Sequence, residues 1–206
     1  MYGLAQTGFS FLDPGLLTTF VERWHGETNT FHMPNGQMTV TLDDMCCLLC
    51  LPIQGQLLDH ASITTKAEDR VDNYLWGTVA LAFLYRELRN AAWVYNHFED
   101  IGGTKSKCYV EEMSSACKYE LTKGQTNQLA MRKMMGWLLP HDTTWTPYED
   151  HRDVWSFEDI ALYSGWIRCG PIRVRYLPER VLRHFGYIET ISRHPHAAAN
   201  PLTTMA

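Results

Sequence analysis

The spacing of apolar residues changes period within residues 13–54. Near the start of this segment, apolar residues recur at helical spacing and would lie on one face of a helix: Leu16, Leu17, Phe20, Val21 and Trp24. After Gly26 the period becomes two, and apolar residues alternate with polar ones on both sides of Pro34-Asn35-Gly36. Asn-Gly tolerates the positive φ of a type I′ turn. The pattern therefore predicts a helix followed by a β-hairpin at about residues 29–41.

A second helix is predicted directly after the hairpin. Thr41 and Asp44 have the spacing of a capping box, and the apolar run that begins at Met45 is stopped by Pro52. An isolated two-stranded hairpin is marginal in water, so we expect the flanking helices to cover it.

The remaining pattern predicts mostly helices. We interpret residues 55–72 as a linker, 73–98 as a long helix, 102–124 as a divergent loop with a weak helix at 110–121, and 125–139 as a helix ended by Pro140. Arg173 and Arg175 alternate with apolar residues, which indicates a half-exposed strand. Pro178 and Gly186 bracket a further short helix, and 193–206 is expected to be a flexible tail.

The fold class predicted is mainly α, a helical domain with one N-terminal β-hairpin packed among helices. Its structural core is predicted to contain Leu17, Phe20, Trp24, Phe31, Val40, Leu48, Leu49, Trp76, Phe83, Trp145, Trp166, Leu182 and Phe185.

Composition is that of one globular domain over residues 1–206. The chain is 45% apolar and 20% charged, which excludes a disordered protein. The apolar run Met45 to Ile53 is too short to cross a bilayer, so no membrane association is expected. Residues 1–12 carry no basic segment of a signal peptide, so we expect reduced cysteines in the cytosol or nucleus.

Positive charge is concentrated near the C-terminal end. Between Arg168 and His196 there are six Arg residues against two Glu residues, although the whole chain carries a formal charge of −5. A solvated face is the favoured interpretation, because no groove-entering motif is recognisable. The alternative is a patch for a partner or a nucleic acid made of Arg168, Arg173, Arg175, Arg180 and Arg183.

The motif Cys47-Leu48-Leu49-Cys50 has the spacing of half a zinc site or of a redox dithiol. The other cysteines form no second close pair, and the motif lies in an apolar helix. Small buried thiols are therefore the favoured interpretation. The histidines are scattered, and Asp43-Asp44 is best explained as an acidic pair at a helix N-terminus rather than as a metal pair.

Two long segments resemble a known family. Leu16 to Trp24, Glu27 to Pro34 and Thr39 to Ile53 look like the opening of the plant mobile domain. Trp145-Thr146-Pro147-Tyr148, Gly165-Trp166 and Arg175 to Tyr187 look like its closing motifs. We name residues 9–54 the opening block and residues 140–192 the closing block. The helix at 73–98 also resembles the family, but the intervals around it are short, which indicates a domain shortened in its middle.

The resemblance implies a function for the chain. This domain occurs in plant transposable elements, in MAINTENANCE OF MERISTEMS-like (MAIN-like) proteins and with the long form of serine/threonine-protein phosphatase 7. It implies a non-enzymatic nuclear interaction module in transposon silencing, gene expression and meristem maintenance, with a phosphatase 7-like protein among its protein partners. The alternatives are nucleic-acid binding through the Arg cluster and a non-functional transposon-derived fragment.

Enzymatic labels attached to the same domain find no support in the motifs. A metallophosphatase needs Gly-Asp and Asn-His-Glu loops, and neither sequence occurs in the chain. An aminotransferase needs a Schiff-base Lys with a phosphate cradle, and no Gly-rich loop is present. We therefore expect no enzyme activity and no cofactor. An unrecognised enzyme would require a concave site with convergent polar groups.

Overall fold

A computed structural model describes residues 14–55, 76–87, 91–98, 101, 104–120, 128–169, 172–192 and 194–197. Most of the predicted linker and of the predicted tail lie outside these residues. Within the described part, no helix has the length and apolarity needed to span a bilayer.

The opening block contains two helices and a three-stranded antiparallel sheet in the order β1-β2-β3. The elements are α1 Pro14–Val21, β1 Trp24–His25, β2 Thr30–Met33, β3 Gly36–Met38 and α2 Leu42–Leu49. The predicted hairpin is confirmed as β2 and β3, with Phe31 opposite Met38. The strand β1 was not predicted, and in its pairing with β2 Trp24 lies opposite Phe31.

The turn of this hairpin differs from the prediction. Met33 pairs with Gly36, so the two central residues are Pro34 and Asn35. Neither has a positive φ, whereas Gly36 has a φ of 140°. Pro34 fixes a negative φ, which excludes the type I′ turn and favours a turn with Pro at its second position and Gly at its fourth.

The capping box at the start of α2 is confirmed. Thr41 is the N-cap, its hydroxyl accepts from the Asp44 N–H at 3.2 Å, and the Asp44 carboxylate accepts from the Thr41 N–H at 2.6 Å. The helix ends before Pro52, because Cys50 adopts a left-handed conformation with a φ of 51°.

The middle of the chain contains helices within the predicted 73–98 segment and short strands within the predicted loop. The elements here are α3 Trp76–Glu87, α4 Ala91–His97, β4 Thr104–Lys105, β5 Tyr119–Glu120 and α5 Gln128–Gly136. The weak helix predicted at 110–121 is wrong, because turns, a 3-10 turn at Ser115–Cys117 and β5 take its place. Gly77 allows α3 to approach residues 51–53, since a Cβ at this position would collide with Ile53.

The closing block contributes a second hairpin, β6 Gly165–Cys169 and β7 Ile172–Tyr176, paired antiparallel. Two 3-10 turns follow at Pro178–Arg180 and Leu182–Phe185. With three antiparallel sheets among its described residues, the domain is mixed α and β. The prediction of a mainly helical fold is therefore only partly right.

Aromatic rings from the opening block and from α4 meet in the core. Phe20 contacts Phe31 edge to face at 5.4 Å and Trp93 at 6.1 Å, and Phe31 stacks on Trp93 at 5.6 Å. Burying such rings supplies much of the stabilisation of a small domain. The opening block is therefore held to α4 by ring packing.

The residues predicted for the core lie at different depths. Phe20, Phe31, Val40 and Leu48 are buried. The half-buried members are Trp24, Leu49, Trp76, Trp145, Trp166, Leu182 and Phe185. The side chains of Leu17 and Phe83 lie outside the described part.

One buried hydroxyl joins the two ends of the chain. Tyr176 in β7 is fully buried, its hydroxyl accepts from the Leu42 N–H at 3.1 Å, and it donates to the Ala161 carbonyl at 2.6 Å. Leu42 is the first residue of α2, so this contact satisfies an N–H that has no partner inside the helix.

We expect Tyr176→Phe to lower the free energy of unfolding by about 1–3 kcal/mol, because it leaves a buried N–H and a buried carbonyl without their partner. Urea denaturation followed by tryptophan fluorescence measures this loss. The matched control is Tyr187→Phe, at a hydroxyl of a residue that is 53% exposed. Equal stability of the two variants would contradict the assignment.

Candidate functional site

Asp44 is a buried carboxylate in the first turn of α2. Its Oδ2 accepts from the Thr41 N–H at 2.6 Å and from the Thr41 hydroxyl at 2.7 Å, and its Oδ1 accepts from the Tyr148 hydroxyl at 2.6 Å. Burial raises the pKa of this carboxyl, but His97, His184 and Tyr148 outweigh that effect, so the pKa lies below its ordinary value. Asp44 is therefore ionised at neutral pH.

His97, the last residue of α4, faces Asp44. Its Nδ1 lies 2.8 Å from the Thr144 carbonyl oxygen, which can only accept, so Nδ1 carries the proton. In the neutral ring Nε2 then has a free lone pair. This atom is buried, has no hydrogen-bond partner among the described residues, and lies 3.6 Å from Asp44 Oδ1.

His184 is the third member of the group, in the 3-10 turn Leu182–Phe185. Its ring centroid lies 4.6 Å from that of His97 and 5.7 Å from that of Trp145. Both of its ring nitrogens are buried without a hydrogen-bond partner in the described part of the chain. Burial lowers the pKa of His184 to about 3, so its ring is neutral.

These three side chains form what we call the Asp–His–His cluster. Each offers one ligand atom, and these atoms lie within 4.8 Å of one another. Carboxylate oxygen and imidazole nitrogen are ligands for divalent transition metals. Among the described residues, this is therefore the group whose arrangement suits a bound cation.

The sequence interpretation missed this cluster. It assigned Asp44 to helix capping, which the structure confirms, and it took the histidines as scattered. Tertiary packing brings together residues from the opening block, α4 and the closing block. The available signal was that His97 and His184 each lie within a segment that resembles the family.

The neighbouring Asp43 has a different partner. Its carboxylate receives two hydrogen bonds from Arg152, at 2.6 and 2.8 Å. Burial raises the pKa of Asp43, and Arg152 offsets part of this effect. The acidic pair is thus divided between an ion pair and the cluster, so it is not a two-carboxylate metal site.

The cysteine motif lies on α2 and at its C-terminal end. Cys47 is buried, whereas Cys46 and Cys50 are half-buried, and all three thiols are free. Burial raises the pKa of Cys46 to about 11, and it raises the pKa values of Cys47 and Cys50 as well. Protonated thiols are poor metal ligands and poor nucleophiles, which favours the packing interpretation.

The predicted arginine patch is largely engaged within the fold. Arg183 lies over the Trp145 ring at 5.0 Å, donates to the Asn35 carbonyl at 2.8 Å and pairs with Glu189 at 3.0 Å. Arg180 contacts Gln37 in the hairpin, with 3.4 Å between the guanidinium nitrogen and the amide oxygen.

The other members of the patch lie on the second hairpin. Arg175 lies over the Trp166 ring at 5.1 Å, and Arg173 is exposed. The side chain of Arg168 lies outside the described part. Arg180 and Arg183 therefore hold the closing block against the hairpin of the opening block. The guanidinium of Arg173 belongs to an exposed residue.

We expect Arg183→Ala to lower the free energy of unfolding by about 1–2 kcal/mol, because it removes a cation–π contact and a charged hydrogen bond that join the two ends of the chain. The matched control is Arg173→Ala, on the exposed face of β7, for which a change within about 0.5 kcal/mol is expected. Thermal or urea denaturation measures both. A larger loss of stability in Arg173→Ala than in Arg183→Ala would contradict the conclusion that Arg183 is engaged within the fold and Arg173 is not.

The fold and the cluster define a mixed α and β domain whose two ends meet at buried polar side chains, and comparison with known proteins shows what the chain resembles. The family model of the plant mobile domain matches residues 1–73. No solved structure matches the chain.

The matched relatives are proteins of Arabidopsis thaliana. Protein MAIN-LIKE 1 is 52% identical over 283 residues, covering 85% of this chain and 54% of that protein. Protein MAINTENANCE OF MERISTEMS is 25% identical over 280 residues, covering 87% of this chain and 58% of that protein. A serine/threonine-protein phosphatase 7 long form homolog is 49% identical over 55 residues, covering 27% of this chain and 4% of that protein.

This chain is therefore similar to the plant mobile domain over residues 1–73 and to MAIN-like proteins over most of its length. It spans little more than half the length of the two relatives that match most of it. The aligned span of 283 residues exceeds the chain's own 206, so the relative has residues between aligned segments where this chain has none. This fits a shortened copy.

Proposed function

We propose that this chain is a non-enzymatic nuclear interaction module of the MAIN-like type. Its proposed roles are in transposon silencing, regulation of gene expression and meristem maintenance, and its proposed partner is a phosphatase 7-like protein. The family and the names of the relatives support the MAIN-like assignment. The main structural support for an interaction role is an exposed apolar groove in the closing block.

This groove has a volume of about 710 Å³, within the range of ligand-binding clefts. Its lining consists of Leu162, Ser164, Pro178, Glu179, Leu182, Gly186, Tyr187 and Ile188. Ile188 is 88% exposed, and Ile191 close by in the chain is fully exposed. Clustered apolar groups that remain in water are typical of protein interaction sites.

Local backbone geometry creates the groove. Gly186 has a φ of 76° and ends the 3-10 turn Leu182–Phe185. A left-handed residue suits glycine, and the chain then leaves the turn with Tyr187 and Ile188 exposed. Few polar side chains line the groove, which suits the binding of an apolar segment better than acid–base chemistry.

We expect Ile188→Asp to weaken binding to a purified phosphatase 7-like protein at least about tenfold, because it places a charge in the apolar groove. Biolayer interferometry with the immobilised full chain measures the change in Kd. The matched control is Val110→Asp, at an apolar side chain that is 53% exposed and outside the groove. The control is expected to bind within about twofold of the original chain.

Two outcomes would count against the proposal. One is that the intact chain fails to bind the phosphatase 7-like protein, and the other is that both Asp variants bind as the intact chain does. Binding to duplex DNA that weakens steeply with salt, and that Arg173→Ala reduces, would instead favour the nucleic-acid alternative.

A further inference from the structure

We propose that the Asp–His–His cluster binds one Zn²⁺ ion, with Asp44, His97 and His184 as its protein ligands. The ion would join three separate parts of the chain at a buried point. This proposal is independent of the apolar groove and of the partner proposed above.

The orientation of His97 is that of a metal ligand. Histidines that bind metals usually donate their other ring N–H to a carbonyl or carboxylate, which fixes the tautomer. His97 has this arrangement, since Nδ1 lies 2.8 Å from the Thr144 carbonyl oxygen. The lone pair of Nε2 therefore points into the cluster, where no described residue donates to it.

The carboxylate of Asp44 is held in a complementary way. Two donors of Thr41 occupy Oδ2, whereas Oδ1 accepts from Tyr148 and retains capacity for a second interaction. Oδ1 is also the atom nearest to His97, at 3.6 Å from Nε2. Two ligands bound to Zn²⁺ at 2.0–2.1 Å in tetrahedral geometry lie about 3.3–3.5 Å apart, so this pair needs little adjustment.

His184 supplies the independent observation. It is only 5% exposed, and both of its ring nitrogens are buried without a partner in the described part of the chain. Burying a polar group without a hydrogen bond is costly, and native structures rarely contain such groups. A cation bound to one of these nitrogens removes part of that cost.

A simple ion pair explains the geometry less well. A charge-assisted hydrogen bond between His97 and Asp44 would be about 2.7–2.9 Å long, shorter than the 3.6 Å observed. It would also leave both ring nitrogens of His184 without a partner in the described part of the chain. One cation takes a ligand atom from each of the three side chains and offsets the charge of the buried carboxylate.

The ligand set selects the class of metal. Two imidazoles and one carboxylate suit Zn²⁺ and other transition metals, whereas Mg²⁺ and Ca²⁺ prefer sites made only of oxygen. No described residue completes the cluster as a fourth ligand, so we assign that position to solvent. Because all three ligands are buried, we assign the ion a structural role.

The test is the metal content of the full chain, purified without a histidine tag and measured by inductively coupled plasma mass spectrometry. We expect about one equivalent of zinc per chain. In His97→Gln and in His184→Gln the content should fall at least tenfold. The matched control is His32→Gln, which removes one ring of the exposed stacked pair His25 and His32 and should retain the metal.

A second measurement uses the intact chain, so its result does not depend on whether a variant folds. Chelation should lower the Tm of the intact chain, and added Zn²⁺ should restore it. Co²⁺ added to the chelated chain should give the strong visible absorption of a tetrahedral site, which His184→Gln should abolish. The proposal is overturned if the intact chain holds no metal after Zn²⁺ is added and its Tm is unchanged, or if His184→Gln retains a full equivalent.

Discussion

The carboxylate of Asp44 is the constraint on which the arrangement of this domain depends. It is buried and ionised, and an uncompensated buried charge costs several kcal/mol. Its hydrogen-bond donors come from two places, Thr41 in the opening block and Tyr148 in the closing block, and His97 at the end of α4 lies 3.6 Å away. The carboxylate has both sets of donors only when the opening and closing blocks are in position, so it couples helix capping to the tertiary fold.

The segments that meet at the Asp–His–His cluster are also joined by other buried contacts. The alignment with MAIN-LIKE 1 requires residues in that protein that this chain lacks. Every contact described above for Asp44 comes from segments that this chain retains. Aromatic packing of Phe20 and Phe31 on Trp93, and the Tyr176 hydroxyl between Leu42 and Ala161, join those same segments. The segments that meet at Asp44 are therefore held together by several separate contacts.

Local features were predictable from sequence, and long-range ones were not. The hairpin, the Thr41 and Asp44 capping box and the alternation at β7 follow from residue spacing alone. The prediction of a type I′ turn is wrong because Pro34 is a central residue of the turn and fixes a negative φ. The strand β1 has only two residues, too few for a periodic signal. The Asp–His–His cluster and the internal contacts of Arg180 and Arg183 arise from tertiary packing, so single-sequence patterns could not reveal them.

The most direct test of the central role of Asp44 is a double-mutant cycle that combines Asp44→Asn with Tyr148→Phe, measured as free energies of unfolding in urea. Because the two side chains share a buried hydrogen bond of 2.6 Å, we predict a coupling energy of about 1–3 kcal/mol. Losses that add to within about 0.5 kcal/mol would contradict it, since they would show that the carboxylate and the closing block contribute independently to stability.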